Sequence, residues 1–452
     1  MRIRLRKHHG TEASVLFVTL GLASLLILFM YYYLNLMRAQ NVAVARSQAW
    51  NAAMAAAEAG VEEALAHLNP GAAALEVNRS ANGWGDPDLV AGFYGPQTRT
   101  LVAGSQYSVK FTSYTPLTIT STGSVTVAAI PATLTRVVQV VATSVPLFTT
   151  ALAAKYNITM SGNTVYTDSF DSGNPAWSTN GQYVLNRAST NGDVASLYGF
   201  VNVGNADIHG DLYLGTNGSY GINNNGSISG KIYKDFNVDF PDVVMPVPPR
   251  GGWRQDLPGG ITNDSTTYTY GFTNANTQSG DSGYYSIPSH ISSFSVYVGP
   301  NVKVRLQVTA NSSTLKGLRV AGGTTDSGNL VIYSTGSSLT VGGNTRVDSG
   351  SATNFSLFGT TTTTAINLNG DSSFIGTIYA PSAALTLSGG GESGDPTHDH
   401  DHDNDNNANY GFMGASVSKS VQMNGHYNFH FDENLLRGQF QRGFLVTSWR
   451  EL

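Results

Sequence analysis

ASVLFVTLGLASLLILFMYYYLNLM, residues 13–37, decides how the N-terminal part of this chain folds, because it contains no charged side chain. As an α-helix that rises about 1.5 Å per residue, the stretch extends roughly 37 Å, whereas the hydrocarbon core of a bilayer is about 30 Å thick. We therefore predict a membrane-spanning helix over these residues.

The charges around this stretch predict its orientation. Four basic residues lie in the leader, residues 1–10: Arg2, Arg4, Arg6 and Lys7. Because positively charged flanks stay on the cytoplasmic side, we expect a cytoplasmic N-terminus and the export of everything after Arg38. The alternative is a secretory signal peptide cut after Ala45, although the apolar core of such peptides usually has about 7 to 15 residues.

The composition of the whole chain favours β-structure. The sequence has 50 glycines and 12% charged residues, whereas an average soluble protein has about 25% charged residues. Serine, threonine and asparagine are abundant in the second half, which is typical of short strands and turns. The net charge of −5 gives no support for a nucleic-acid partner. There is no cysteine, so disulfides and thiolate metal sites are excluded.

Residues 41–68 extend the same helix, so we predict one helix over residues 11–70. Strong helix formers fill this stretch, and Asn69-Pro70-Gly71 follows it as a terminator. Its apolar positions are mostly small: Ala49, Ala52, Ala53, Ala56, Ala57, Val61, Leu65 and Leu68. Small side chains let another element approach closely. The stripe packs either on the chain's own domain or in a bundle with other molecules.

The N-terminal pattern as a whole is distinctive. A basic leader ends in Gly10, the apolar helix follows, and then come RSQAWN (46–51) and AEAGVEEA (57–64). Over about the first 70 residues this pattern resembles PilX-type minor pilins of the type IV pilus and type II secretion pseudopilin group. The resemblance implies cleavage by a peptidase between Gly10 and Thr11. Major pilins carry a glutamate as the fifth mature residue, whereas here Glu12 is the second and Val15 the fifth.

Residues 71–146 are predicted to form a small β-subdomain. Residues 71–104 are rich in glycine, proline and asparagine and indicate a loop. Three β-branched segments follow, at residues 106–112, 117–128 and 132–143, separated by turn residues. They indicate a small antiparallel sheet, and a long helix packed on such a sheet resembles the globular head of a pilin.

From residue 147 onward one phrase recurs, in which two apolar residues flank a polar one and glycine or asparagine follows. It occurs as ITM (158–160), VNV (201–203), LTV (339–341), INL (366–368), LTL (385–387) and VQM (421–423). Repeats of about 20 to 27 residues with short strands suit a β-solenoid. We therefore predict a mainly β chain in which residues 147–452 form a parallel β-helix-like solenoid. A β-sandwich is the alternative, because strand periodicity alone does not distinguish the two.

Alternation within the phrase predicts the core of the solenoid. Six side chains should point inward, namely Leu339, Val341, Ile366, Leu368, Leu385 and Leu387, and Thr340, Asn367 and Thr386 should point outward. The last 120 residues or so also resemble a C-terminal domain that is often joined to PilX-like N-termini and has no established chemistry. The stretches that carry this resemblance are GTIYAPSAALTLSGGG (376–391) and MGASVSKSVQMNGHYNFHFDENL (413–435).

Two segments depart from the repeat. Residues 241–260, PDVVMPVPPRGGWRQDLPGG, contain too many prolines to keep the hydrogen bonds of a sheet throughout. We predict that this proline-rich strap crosses the surface of the coils in an extended form. Near the end of the chain, residues 433–442 are predicted to form a short amphipathic helix and residues 444–449 a strand that caps the solenoid.

The sharpest polar cluster lies in the His/Asp loop, residues 390–409, which we expect to project from the coils. Its candidate ligands for zinc, nickel or copper are His398, Asp399, His400, Asp401, His402 and Asp403. Imidazole and carboxylate groups are suitable ligands for these metals. The alternative is a solvated low-complexity loop that binds nothing.

A second cluster, His426, His430, Asp432 and Glu433, carries groups suited to acid–base or metal chemistry. In the alternating strand 427–432, His430 and Asp432 fall opposite the aromatic residues, so we predict that both are solvated. A β-helix glycosidase would need two close carboxylates, and the repeats are poor in acidic residues. We therefore predict no catalytic residue and no cofactor.

Together these features predict a single-pass, pilin-like envelope protein with a structural or adhesive role. We expect it in a bacterial inner membrane, with its helix packed among pilin-like subunits and its C-terminal domain in the periplasm or outside the cell. There its Thr/Asn/Ser surface would meet carbohydrate or another protein. The alternatives are a membrane-anchored β-helix enzyme that acts on polysaccharide and a metal-binding surface protein that uses the His/Asp loop.

Overall fold

The structure is a computed structural model. It describes residues 11–69, 84, 92–102, 104–112, 116–127, 132–160, 165–248, 252–277, 283–342, 345–369, 373–388, 411–424, 427–437 and 440–452. These residues form two compact units. The first contains the long N-terminal helix, the strands that follow it up to Thr143, and Phe444–Leu452; the second contains Ser144–Gly443. The predicted fold class is confirmed: the chain is mainly β, with one long apolar helix, a small antiparallel sheet and a large sheet of parallel strands.

Helix α1, Thr11–Leu68, is a single helix of 58 residues. The first half is apolar and exposed, and the side chains of Phe17 and Ile27 keep 73% and 69% of their accessible surface. One stretch of it is long and apolar enough to cross a membrane, a property that membrane anchors share with N-terminal signal sequences.

The second half of α1 packs on the sheet through small residues. Ala53, Ala57 and Ala64 are buried, whereas Ala52 is exposed. Gly123 makes the close approach possible, because a Cβ atom at this position would lie 2.0 Å from the carbonyl oxygen of Ala53 and 2.4 Å from the nitrogen of Ala57. The alanine stripe therefore packs on the chain's own sheet, which is the first of the two alternatives.

The sheet of the first unit has the order β1-β2-β3-β4-β30. Its strands are β1 Phe93–Val102, β2 Ser105–Thr112, β3 Leu117–Val127, β4 Ala132–Pro146 and β30 Gln441–Glu451. Strands β1 to β4 pair antiparallel, and β2, β3 and β4 lie where the sequence predicted strands. Two details differ. Residues 93–102 were expected to be loop, and residues 444–449 were expected to cap the solenoid rather than to extend this sheet.

The strands of the second unit before the strap are β5 Leu152–Ala154, β6 Ile158–Met160, β7 Tyr166–Phe170, β8 Val194–Ser196, β9 Phe200–Gly204, β10 Asp207–Ile208, β11 Leu212–Leu214, β12 Ser219–Ile222, β13 Ser227–Ile228 and β14 Ile232–Tyr233. After the strap come β15 Ile261–Asn263, β16 Thr266–Tyr268, β17 Tyr270–Phe272, β18 Gly283–Ile287, β19 Ser293–Val298, β20 Lys303–Val308, β21 Ser312–Val320, β22 Asn329–Ser334, β23 Ser338–Gly342, β24 Thr345–Val347, β25 Phe355–Gly359, β26 Ala365–Asn369, β27 Phe374–Ser388, β28 Phe412–Met423 and β29 Phe429–Asp432. Short 3-10 helices join some of them, at Leu185–Arg187, Ala352–Asn354 and Glu433–Arg437.

The recurring phrase marks one column of stacked parallel strands. The first apolar residues of the six phrases pair in the order Leu339, Ile366, Leu385, Val421, Ile158 and Val201. All six are buried, and Thr340, Asn367 and Thr386 on the opposite face are partly exposed. The inward and outward positions predicted from the phrase are therefore confirmed. Parallel ladders of this kind belong to a β-solenoid, whereas the sheets of a β-sandwich are antiparallel.

The coils do not stack in chain order. Strands β5 to β14 build one stack, and β17 to β29 build another. Strand β28 of the later stack pairs with β5 and β6, which are the first strands of the earlier stack. Because β5 and β6 also pair with β8 and β9, the first coil in the sequence lies in the middle of the solenoid.

The described parts of the strap, residues 241–248 and 252–260, run across successive coils. The hydroxyl of Tyr379 donates a hydrogen bond to the carbonyl oxygen of Pro241 at 2.8 Å, Val243 forms a β-bridge with Thr360, and Arg254 forms one with Tyr285. Beneath the strap and the residues just before it lies a second apolar cluster, which includes Val331, Tyr333, Phe358, Tyr379 and Val417. This cluster explains why β22 and β25 are buried on both faces.

Candidate functional site

Strand β29 departs most clearly from the sequence prediction, because all four of its side chains are buried. His430 and Asp432, which we predicted to be solvated, are 1% and 0% exposed. The loop after β7, residues 171–192, covers them. The ring of Tyr183 stacks on His430 with 3.8 Å between centroids, and Ser172 contacts Asp432. The prediction was wrong because the covering residues come from a distant segment, which strand alternation does not reveal.

His430 belongs to a buried polar cluster with Asp168 and Tyr183. The Nδ1 atom of His430 lies 2.5 Å from Oδ1 of Asp168, and the hydroxyl of Tyr183 donates to Oδ2 of Asp168 at 2.6 Å. Burial and the charge of Asp168 raise the pKa of Tyr183 well above its ordinary value. A carboxylate–imidazole pair can act as a general base, but these three residues are at most 2% exposed. Here the pair joins β29 to β7, because these two strands are paired with His430 opposite Asp168.

Asp432 anchors a second buried network. Its carboxylate accepts hydrogen bonds from the backbone N–H groups of Ser172, Ala352 and Asn434 at 3.0, 3.0 and 3.1 Å. It also accepts one from the hydroxyl of Ser172 at 2.7 Å. Burial raises the pKa of Asp432, and these hydrogen bonds oppose the shift. The carboxylate therefore ties together the loop after β7, the turn before β25 and the 3-10 helix after β29.

A polar cavity of about 560 Å³ lies beside this network. Its lining includes Ser172, Ser351 and Asn434, together with residues of the turns 324–327 and 349–354. The described residues that line it are serine, threonine, asparagine, glycine and one proline, without an ionisable side chain. Hydroxyl and amide groups both donate and accept hydrogen bonds. The lining is thus equipped for polar recognition and not for proton transfer.

Two arginine side chains hold the loop that forms one wall of the cavity. The guanidinium of Arg187 donates to two carbonyl oxygens of the loop, and Nη2 of Arg437 donates to both carboxylate oxygens of Asp171 at 2.6 and 2.7 Å. Gly181 and Gly350 both have positive φ, and a Cβ atom on Gly350 would lie 2.5 Å from the carbonyl oxygen of Gly181. The loop and the turn therefore meet backbone to backbone.

Most of the other site residues predicted from the sequence lie outside the described residues: Gly10, His426 and the candidate metal ligands His398, Asp399, His400, Asp401, His402 and Asp403. Thr11 and Glu12 begin α1, whose side chains are described from Val15 onward. Within the described part of the chain, no group of three or more histidines or acidic residues is placed to hold a metal ion. Leader processing and metal binding by the loop stay predictions.

Three comparisons place this chain among known proteins. Residues 264–437, less than half of the chain, match the family model described as "Domain of unknown function (DUF7305)". No curated protein matches the sequence. Among solved structures, the competence-associated pilin ComZ from Thermus thermophilus is similar over 89% of this chain and 97% of that one, with 12% sequence identity and a TM-score of 0.33. Values this low do not by themselves establish a common fold.

Proposed function

We propose that this protein is a pilin-like envelope protein, anchored in a bacterial inner membrane by α1, whose exported solenoid has a structural or adhesive role. The proposal includes neither a catalytic activity nor a cofactor. The observation that carries it is the division of α1 into two halves with opposite surroundings.

The described part of the chain leaves the apolar side chains in the first half of α1 exposed. Its large apolar side chains between Val15 and Met37 are 39–73% exposed. Leaving apolar surface in water costs roughly 25 cal/mol per Å². Lipid, or the matching helices of other pilin-like subunits, would remove that cost, and the finer assignment to PilX-type minor pilins rests on the sequence resemblance.

The outer face of the solenoid supports the adhesive part of the proposal. Thr340, Asn367 and Thr386 lie on three successive paired strands, so Asn367 lies about 4.8 Å from each of the other two. Their hydroxyl and amide groups form a polar ridge that suits hydrogen bonding to carbohydrate or to another protein.

Membrane anchoring is tested by placing a charge in the middle of the proposed span. Leu26→Arg should cost about 3 kcal/mol of insertion free energy and reduce the share of protein in the membrane fraction. The matched control is Ala55→Arg, at an exposed position in the second half of the same helix. Equal retention of both variants in the membrane fraction after an alkaline wash would overturn the anchor.

The pilin-like pathway is tested separately, by mass spectrometry of the mature N-terminus of the native protein. We expect Thr11 as the first residue and an uncut Gly10→Ala variant. A retained Met1 would leave α1 as a simple anchor. A mature chain that begins at Arg46 would instead identify a secretory signal peptide cut after Ala45, and it would overturn both the anchor and the pilin-like pathway.

A further inference from the structure

We propose that the polar cavity formed by residues 172–181, the turns 324–327 and 349–354 and Asn434 binds a neutral polyhydroxylated ligand, namely a short saccharide. This inference does not depend on the membrane anchor, since every residue that carries it belongs to the second unit.

The size and lining of the cavity fit such a ligand. Its volume of about 560 Å³ lies within the range of small-molecule pockets, about 300–1,000 Å³. Sugar hydroxyls act as both donors and acceptors, and the serine, threonine and asparagine side chains that line the cavity offer the same two roles. An apolar ligand would displace water from these groups and offer no hydrogen bond in its place, which is costly.

The charges around the cavity select a neutral ligand over an anionic one. The described lining carries no cationic side chain, and the nearby guanidinium of Arg437 is engaged by Asp171. The carboxylate of Asp432 lies directly behind Ser172 and Ser351, at 2.7 and 3.5 Å from their hydroxyl oxygens. A negative ligand would meet this charge without a compensating partner.

The polar groups of the cavity are already oriented. The amide nitrogen of Asn434 donates to the hydroxyls of Ser172 and Ser351 at 3.2 and 3.3 Å, and Asn354 donates to the hydroxyl of Ser349 at 2.7 Å. A site whose side chains are fixed before binding loses less conformational entropy when the ligand arrives.

One further group in the cavity wall lacks a partner. The hydroxyl of Ser327, a lining residue, is buried and has no hydrogen-bond partner among the described residues. A ligand hydroxyl would supply that partner.

The test is saturation-transfer NMR on the full chain in a zwitterionic detergent without a sugar headgroup. The probes are maltotriose and chitotriose, which are neutral, and trigalacturonate, which is anionic. We expect at least one neutral trimer to bind and trigalacturonate to give no signal. Ser327→Ala should weaken binding about tenfold, the loss of roughly one hydrogen bond, and Thr325→Trp should abolish it by filling the cavity.

Thr386→Val is the matched control, because it removes a hydroxyl from the outer ridge and leaves the cavity intact. If Thr325→Trp changes the thermal unfolding midpoint, Thr324→Val is used in its place, because Thr324 is an exposed lining residue. Absence of binding by both neutral trimers would overturn the proposal. So would binding that is lost in Thr386→Val but kept in the cavity variants, or tighter binding of trigalacturonate than of the neutral probes.

Discussion

Asp432 shows how one buried charge can organise the residues around it. Removing a carboxylate from water costs several kcal/mol unless hydrogen bonds replace the lost hydration. Here four donors from Ser172, Ala352 and Asn434 do so. Because those donors lie in three separate segments, the position of each segment is fixed relative to the same carboxylate.

Replacement of Asp432 by asparagine should destabilise the solenoid. The amide nitrogen would face N–H groups that need an acceptor, so we expect the free energy of unfolding to fall by about 1–3 kcal/mol, as measured by urea unfolding of the full chain. The control is Asp256→Asn, since the Asp256 side chain is 68% exposed and an ion pair at such a surface position contributes little to stability. Equal losses in the two variants would contradict this role of Asp432.

Tyr107 makes the first unit sensitive to alkaline pH. Burial and the hydrogen bond from its hydroxyl to Glu63 raise the pKa of Tyr107 to about 12, against about 10 in an unfolded chain. The folded protein therefore holds the proton more tightly, so the stabilisation is present below about pH 10 and is lost as the pH rises towards about 12.

The measurement is the difference in phenolate absorbance between the wild type and Tyr107→Phe as the pH is raised. This difference should appear with a midpoint near pH 12. Glu63→Gln removes the acceptor charge and should move this titration towards about pH 10. A midpoint of about pH 10 for the difference between the wild type and Tyr107→Phe would contradict the prediction.

At the scale of elements, the contact between α1 and β3 depends on backbone proximity. Gly123→Ala would place a Cβ atom 2.0 Å from the carbonyl oxygen of Ala53, so the helix must shift, at a cost of about 1–3 kcal/mol. We expect faster hydrogen exchange in peptides that cover residues 53–64. Gly21→Ala is the control, because nothing lies within 4 Å of its Cβ position, and unchanged exchange in both variants would refute the close contact.

The sequence predicts which face of a strand is buried only when the residues that cover that face lie nearby in the sequence. The phrases at Leu339, Ile366 and Leu385 were assigned correctly, because each strand carries its own inward and outward alternation. The same rule failed for His430, whose outer face is covered by a loop that is far away in sequence. The cavity gave no local signal either, because its serine, threonine and asparagine residues come from four separate segments and match no motif.

At the scale of the molecule, the solenoid is held together by contacts between distant parts of the sequence. Val421 in β28 lies between Leu385 on one side and Ile158 on the other. The two stacks of coils therefore share one hydrophobic core at this junction. Contacts of such separation have a high entropic cost of closure, and they form slowly.

Val421→Asp should open both stacks at once. A buried, unpaired carboxylate is strongly destabilising, so hydrogen exchange should accelerate in residues 152–160 as well as in residues 384–388. Gln422→Asp is the control, because Gln422 is exposed on the opposite face of the same strand. Faster exchange confined to residues 384–388 would show that the stacks are energetically independent.

The position of β30 has a consequence for synthesis on the ribosome. Strand β30, Gln441–Glu451, lies beside β4, although the whole second unit, Ser144–Gly443, separates them along the chain. The edge of β4 therefore stays unpaired throughout translation of the solenoid, when it is open to pairing with neighbouring chains. Strand β30 closes this sheet only after the second unit has been made, so a nascent chain that stalls before Gln441 exposes an aggregation-prone edge.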